Sequence, residues 1–322
     1  MNAILDQIEK IGIVPVIKID NADRAIRLVK SLITGGLPCA EITFRTSQAE
    51  DSIRRIKESG LNVLLGAGTV LSIAQVDRAL EAGAQFIVTP SFNPKVVQYC
   101  LNRGITIIPG CSKPSDVEQA TLDFGLEVVK FFPAEQSGGL EYVKAIAGPY
   151  NTLKFLPTGG INVNNVGSYL RFKRILACGG SWMAKDSLIN DGEFDRITAL
   201  CREAVLKMLD FSVIHLGINT SQEEEVSLAA RCFSSYFGFP IKERSASVFT
   251  GSSIEIMKSK GLGTHGHIAI STNSVKRAMA LLERQGVVFD MDSARVDADG
   301  DINFIYLKDE IAGFAVHLLE RT

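Results

Sequence analysis

Short, nearly continuous apolar runs alternate with helix-like stretches through the first two hundred residues, and few architectures accept that rhythm. The runs cover 13–19, 40–45, 62–69, 86–90, 106–110, 128–134, 155–160 and 175–182, with helical patterns such as 21–33, 47–59, 73–82 and 114–124 between them. Strands that are apolar on both faces belong in a parallel sheet covered by helices. Eight βα units of this size close most economically into an α/β (β/α)8 TIM barrel, whose site lies at the C-terminal ends of the strands. A doubly wound open sheet is the alternative.

One run carries a lysine in its middle, Glu127-Val-Val-Lys-Phe-Phe-Pro-Ala-Glu135. Burying an ammonium without a partner is expensive, and a lysine so placed sheds its proton to become an amine able to attack a carbonyl. The plain alternative is a lysine that snorkels from a strand end. In Ala40-Glu-Ile-Thr-Phe-Arg45, strand geometry puts Glu41, Thr43 and Arg45 on one face, as a polar interior site requires. Gly66-Ala-Gly-Thr69, Pro157-Thr-Gly-Gly160 and Gly179-Gly-Ser181 end three further runs with small residues, which let backbone N–H groups approach a ligand. Tight turns also need glycine, so each pair alone says little. Together, beside a buried lysine and a Glu/Arg pair, they mark a site.

Composition excludes several classes. A formal net charge of −2 and the absence of a long basic run give no reason to expect a nucleic-acid or membrane partner. No apolar stretch approaches a membrane span, and the opening residues carry acids, unlike a signal peptide. The six cysteines form no Cys-x-x-Cys pair, so reduced thiols in a cytoplasm are expected. All four histidines (215, 265, 267 and 317) lie beyond residue 210, so acid–base chemistry in the first two-thirds must use other groups.

The motifs around Glu41, Gly66–Thr69, Lys130, Ala147-Gly-Pro149, Pro157–Gly160 and Gly179-Gly-Ser-Trp182 closely resemble the 2-keto-3-deoxy-6-phosphogluconate / 4-hydroxy-2-oxoglutarate aldolases, in order and spacing, from about residue 4 to 207. The resemblance implies a homotrimeric barrel and a class I aldolase that needs no cofactor beyond a lysine Schiff base. Its substrate would be a small 2-keto acid. By the resemblance, Lys130 forms the imine, Glu41 moves protons, and Arg45 and Thr69 hold the carboxylate end, with Thr158 and Gly159 nearby. Gly160 and Ser181 would cradle a phosphate. One segment departs from the family pattern: Ser91-Phe-Asn-Pro94 stands where a Ser-Pro-Gly spelling is expected.

The rhythm changes after Asp210-Phe-Ser212, so we expect domains at 1–209 and 210–322. Beyond the join, strand, helix and three short strands occur twice in order, predicting a smaller α+β domain of paired βαβββ modules. Ser221-Gln-Glu-Glu224 reads as a capping box for its first helix. His215, Glu255 in Ile-Glu-Ile-Met and His267 in Thr264-His-Gly-His resemble the glyoxalase I, vicinal-oxygen-chelate family. That resemblance implies metal ligands at His215, Glu255, His267 and His317, with histidine where the family usually ends on glutamate. Imidazole suits Zn, Ni, Co or Fe. His265 is expected beside the site and not in it. Three accounts stay open for this domain: metal-dependent enzyme, metal-free ligand-binding module, or structural appendage.

Overall fold

The computed structural model describes residues 2–321, and the chain divides into two compact units, one ending at Met208 and the other beginning at Leu209. The first unit carries strands β1 (Ile13–Ile17), β2 (Cys39–Thr43), β3 (Leu64–Gly68), β4 (Phe86–Val88), β5 (Thr106–Ile108), β6 (Gly110–Cys111), β7 (Val128–Phe131), β8 (Lys154–Pro157) and β9 (Cys178–Gly180). All pair in parallel, in the orders β5-β4-β3-β2-β1-β9 and β6-β7-β8. Bridges Phe155↔Ile175 and Thr158↔Gly179 tie β8 to the β9 segment. The sheet is therefore a curled one, and its order never reverses as a doubly wound sheet requires.

Every residue of β1, β2, β3 and β7 is buried, as the continuous apolar runs imply. The strands are shorter than the apolar runs. β7 and β8 give way at Pro133 and just after Pro157, and the run at 106–110 breaks in two because Pro109 has no N–H to give the ladder. Its carbonyl still accepts from Lys130 N at 2.9 Å. Helices start where capping chemistry allows. Ser72 Oγ accepts from Gln75 N before Ile73–Ala82, and Asn93 accepts from Lys95 N and Val96 N before Pro94–Asn102. That cap accounts locally for the Asn-Pro spelling at 93–94.

The second unit is an eight-stranded mixed sheet. Its strands are β10 (Ser212–Ile218), β11 (Ile241–Glu243), β12 (Ser247–Thr250), β13 (Ile254–Met257), β14 (Gly266–Thr272), β15 (Phe289–Val296), β16 (Ile302–Leu307) and β17 (Phe314–Glu320), in the order β11-β12-β13-β10-β14-β17-β16-β15. Each half repeats one pattern: its first strand pairs in parallel with its fourth, and the remaining pairs are antiparallel. The halves join along antiparallel β10 and β14. Helix Glu223–Phe237 buries Val226 and Ala230 on Val248 and Ile256. Strand alternation then turns Ser247 and Glu255 to the opposite face. The expected capping box is displaced by one residue: Gln222 is the N-cap, and Ser221 N–H and Oγ both donate to Glu225 Oε2, not to Glu224. Among the described residues no helix is long and apolar enough to cross a membrane.

Candidate active site

Lys130, on β7, and Glu41, on β2, lie on opposite sides of the curled sheet, yet Lys130 Nζ is 3.3 Å from Glu41 Oε1. They can meet only across its interior. Lys130 is 5% exposed and Glu41 0%. The reading of an ammonium buried without a partner thus gives way to a buried ion pair. The rest of the pair's surroundings are sparse: Glu41 Oε2 is buried with no hydrogen-bond partner, and the Lys130 ammonium sits 5.3 Å from the centre of the Phe132 ring. An enclosed pair of this kind, with one carboxylate oxygen unused, is equipped to pass protons to a guest.

Gly68 makes room for the acid. A Cβ there would fall 2.1 Å from Glu41 Oε1, so no larger residue fits beneath the carboxylate. Next to it Thr69 holds φ 56°, a left-handed backbone that a β-branched residue rarely adopts and that turns the chain sharply at the end of β3. β2 stops at Thr43, and Arg45 is exposed in the following turn, its Nε donating to Thr43 Oγ1 at 3.2 Å. Thr43 Oγ1 in turn donates to Ile17 O at 2.9 Å, which anchors the guanidinium stem to β1.

Thr158 follows β8 with its Oγ1 buried and unpartnered. The absence of a side chain at Gly179 is what admits it, since a Cβ there would lie 2.3 Å from Thr158 Oγ1. Gly159 and Gly160 continue with φ 99° and 79°, and Ser181 lies exposed after β9. The expected residues thus come from the ends of β2, β3, β7, β8 and β9. Sequence reading missed the supporting roles of Phe132 and of Gly68 as a steric vacancy. The Gly-x-Gly spelling at 66–68 was the available signal for the second.

In the second unit, His215 Nε2 is 3.1 Å from His267 Nε2, and Glu255 Oε2 lies 3.3 and 3.1 Å from those two nitrogens. His317 completes the group, the three imidazoles offering ligand atoms within 4.8 Å of one another. The four residues stand on β10, β14, β13 and β17, the first and last strands of each half. Gly217 leaves space for the His267 ring, which a Cβ would meet at 2.1 Å. Burial lowers the His215 imidazole and holds His317 at about 3, so both are neutral near pH 7. The His267 hydrogen bond, opposed by burial, holds the Glu255 carboxyl below its usual range. Ser247 Oγ donates to Glu255 Oε1 at 2.5 Å, leaving Oε2 to the histidines. No local spelling announces Ser247, which reaches the site by strand pairing. His265 packs on Phe314, ring centres 5.7 Å apart.

Curled parallel sheet and interior lysine–glutamate pair together define an α/β enzyme with its chemistry at the strand ends. The chain belongs to the KDPG and KHG aldolase family, whose model matches residues 4–200, and it is accordingly an aldolase, a lyase. It is 46% identical over 205 residues to the 2-dehydro-3-deoxy-phosphogluconate aldolase of Treponema pallidum (strain Nichols), covering 64% of this chain and 97% of that one. It is 41% identical over 193 residues to the KHG/KDPG aldolase of Escherichia coli (strain K12), covering 60% and 90%. Among solved structures, a KDPG aldolase of Legionella pneumophila, captured with pyruvate as a covalent carbinolamine, superposes with a TM-score of 0.60 at 32% identity over 62% of this chain and 97% of that one.

Proposed function

We propose that the first unit is a closed (β/α)8 barrel that cleaves 2-keto-3-deoxy-6-phosphogluconate to pyruvate and glyceraldehyde 3-phosphate through a Schiff base on Lys130. 4-Hydroxy-2-oxoglutarate, giving pyruvate and glyoxylate, is the second substrate of the same site. Support for closure comes from β9, which pairs β1 and bridges to the β8 segment. The observation that carries the chemistry is the Lys130–Glu41 contact at 3.3 Å. Lys130 passes its proton to water and adds as a neutral amine to the C2 ketone. Loss of water from the carbinolamine, with a proton taken back from the medium, gives a protonated imine and leaves Glu41 as the carboxylate. Glu41 then takes the 4-hydroxyl proton, the C3–C4 electron pair moves into the imine, and the aldehyde departs. The same carboxyl returns its proton to C3 of the enamine, and water releases pyruvate from the lysine.

The other roles follow the available groups. Arg45, at the rim, suits bidentate binding of the substrate carboxylate. Thr69 turns the chain beside it, and the unpartnered Thr158 hydroxyl with Gly159 offers a hydrogen bond to the same end. The glycine loop at Gly160 and the exposed hydroxyl of Ser181 receive the phosphate. Reductive trapping tests the reading. Borohydride with pyruvate should fix a three-carbon adduct on Lys130, read by peptide mass spectrometry. An adduct elsewhere, or none, overturns the assignment. Family resemblance also carries a homotrimer, which sedimentation of the full chain decides.

For the second unit we read residues 210–322 as a vicinal-oxygen-chelate-like domain with a divalent transition metal held by His215, Glu255, His267 and His317. The buried, unpartnered His317 Nδ1 and the convergence of three imidazoles with one carboxylate fit such an ion. A bound ion would act as a Lewis acid toward an oxygen ligand. Elemental mass spectrometry should find near-stoichiometric Zn, Ni, Co or Fe in the purified protein and its loss in His267→Ala. No uptake after reloading would leave a metal-free binding or structural module.

A further inference from the structure

A carboxylate stands beside the loop assigned above to phosphate. A Cβ on Gly160 would lie 2.5 Å from Glu135 Cγ and 2.6 Å from its Cβ, so the glutamate stem fills the space that this glycine leaves. Backbone bonds join the same two loops, with Ala134 N donating to Thr158 O at 2.8 Å and Glu135 N to Gly159 O at 3.1 Å. An acid in this place should repel a phosphate. Its direction is set by Tyr169, 2% exposed in the helix Val166–Leu170, whose hydroxyl donates to Glu135 Oε1. The turn at Gly138 and Gly139 closes over that bond. A Cβ on Gly139 would sit 3.2 Å from Glu135 Oε1 and 3.3 Å from the Tyr169 hydroxyl oxygen. Burial first, and then the bond to the carboxylate, pushes the Tyr169 phenol up, so it remains a donor at neutral pH.

We infer that Tyr169 is a specificity-determining positioning residue, whose hydroxyl latches the Glu135 carboxylate away from the Gly159 and Gly160 loop and so keeps that loop receptive to the phosphate end of the substrate. The inference rests on the phosphate placement of the proposed function. Tyr169 touches none of the reacting carbons, so its effect belongs in KM for phosphorylated substrate and not in kcat. The latch also explains why an acid is tolerated here: its stem supports the loop while its carboxylate is held on the Tyr169 hydroxyl.

Steady-state kinetics test this with 2-keto-3-deoxy-6-phosphogluconate and its unphosphorylated counterpart, 2-keto-3-deoxygluconate, whose distal end is neutral. Tyr169→Phe keeps the ring and frees the carboxylate. KM for the phosphorylated substrate should rise roughly fivefold, the scale of charge repulsion through water at this range, with kcat and the unphosphorylated reaction unchanged. Adding Glu135→Gln should return KM to the wild-type value, which a merely structural tyrosine would not allow. Equal losses on both substrates, or a KM that stays high in the double variant, overturn the latch. Ser181→Ala separates the two readings. If it raises KM for the phosphorylated substrate while Tyr169→Phe does not, the latch alone fails. If neither raises it, the phosphate placement fails and the latch with it.

Discussion

Lys130→Ala should lower retro-aldol turnover by at least about four orders of magnitude, because no other group can take over covalent catalysis of this size. Lys130 is the one lysine in the buried class among the described residues. Others nearer the surface, such as Lys18 with Asp20 and Lys154 with Glu9, already hold carboxylates of their own. The alanine variant also strands Glu41, 0% exposed, without its cation. Removing one partner of a buried pair costs about 3–5 kcal/mol, so a lowered melting temperature is expected beside the lost activity. Lys130→Arg separates the effects. It keeps a cation near Glu41 but stays protonated and forms no imine, so it should fold, stay inactive and give no borohydride adduct with pyruvate. Pyruvate release by either variant above about a hundredth of the wild-type rate would overturn the Schiff-base role.

Glu41→Gln should leave the imine and remove the proton shuttle. General acid–base catalysis contributes about 10²–10⁴-fold, and kcat should fall within that range. Two proton transfers depend on this carboxyl, at the 4-hydroxyl and at C3. Exchange of the pyruvate methyl protons with deuterated water should therefore fall with turnover, while borohydride still traps pyruvate on Lys130. Glutamine matches glutamate in shape and fits the space above Gly68, so packing is preserved. If exchange and cleavage both persist within tenfold of the wild type, the shuttle is another group. If trapping is lost as well, Glu41 serves to prepare the lysine and not to move substrate protons.

Much of this was legible without coordinates because it is written locally. Buried strands show as apolar runs, and a lysine between β-branched and aromatic residues stands out in a strand. Element ends were less legible. The run at 40–45 was read as strand to Arg45, yet β2 ends at Thr43. At Pro109 one apolar run serves two sheet segments, because the missing N–H interrupts the ladder while the carbonyl goes on accepting. The capping box was off by one acid, since Glu224 and Glu225 are equivalent in spelling and only the helix phase chooses between them.

The sequence by itself determined the layered α/β rhythm, the repeat of βαβββ order after residue 210, and which side chains had unusual surroundings to explain. Only the tertiary structure decided whom they meet. Glu41 and Lys130 are 89 residues apart and touch because the sheet curls until β2 faces β7. Glu255 and His267 share a hydrogen bond because β10 pairs β13 on one side and β14 on the other. Tyr169 reaches Glu135 because the helix after β8 packs beneath the loop after β7. Periodicity is a property of neighbours in the chain and survives in the sequence, whereas these contacts depend on the curl and register of whole sheets, which no short segment encodes alone.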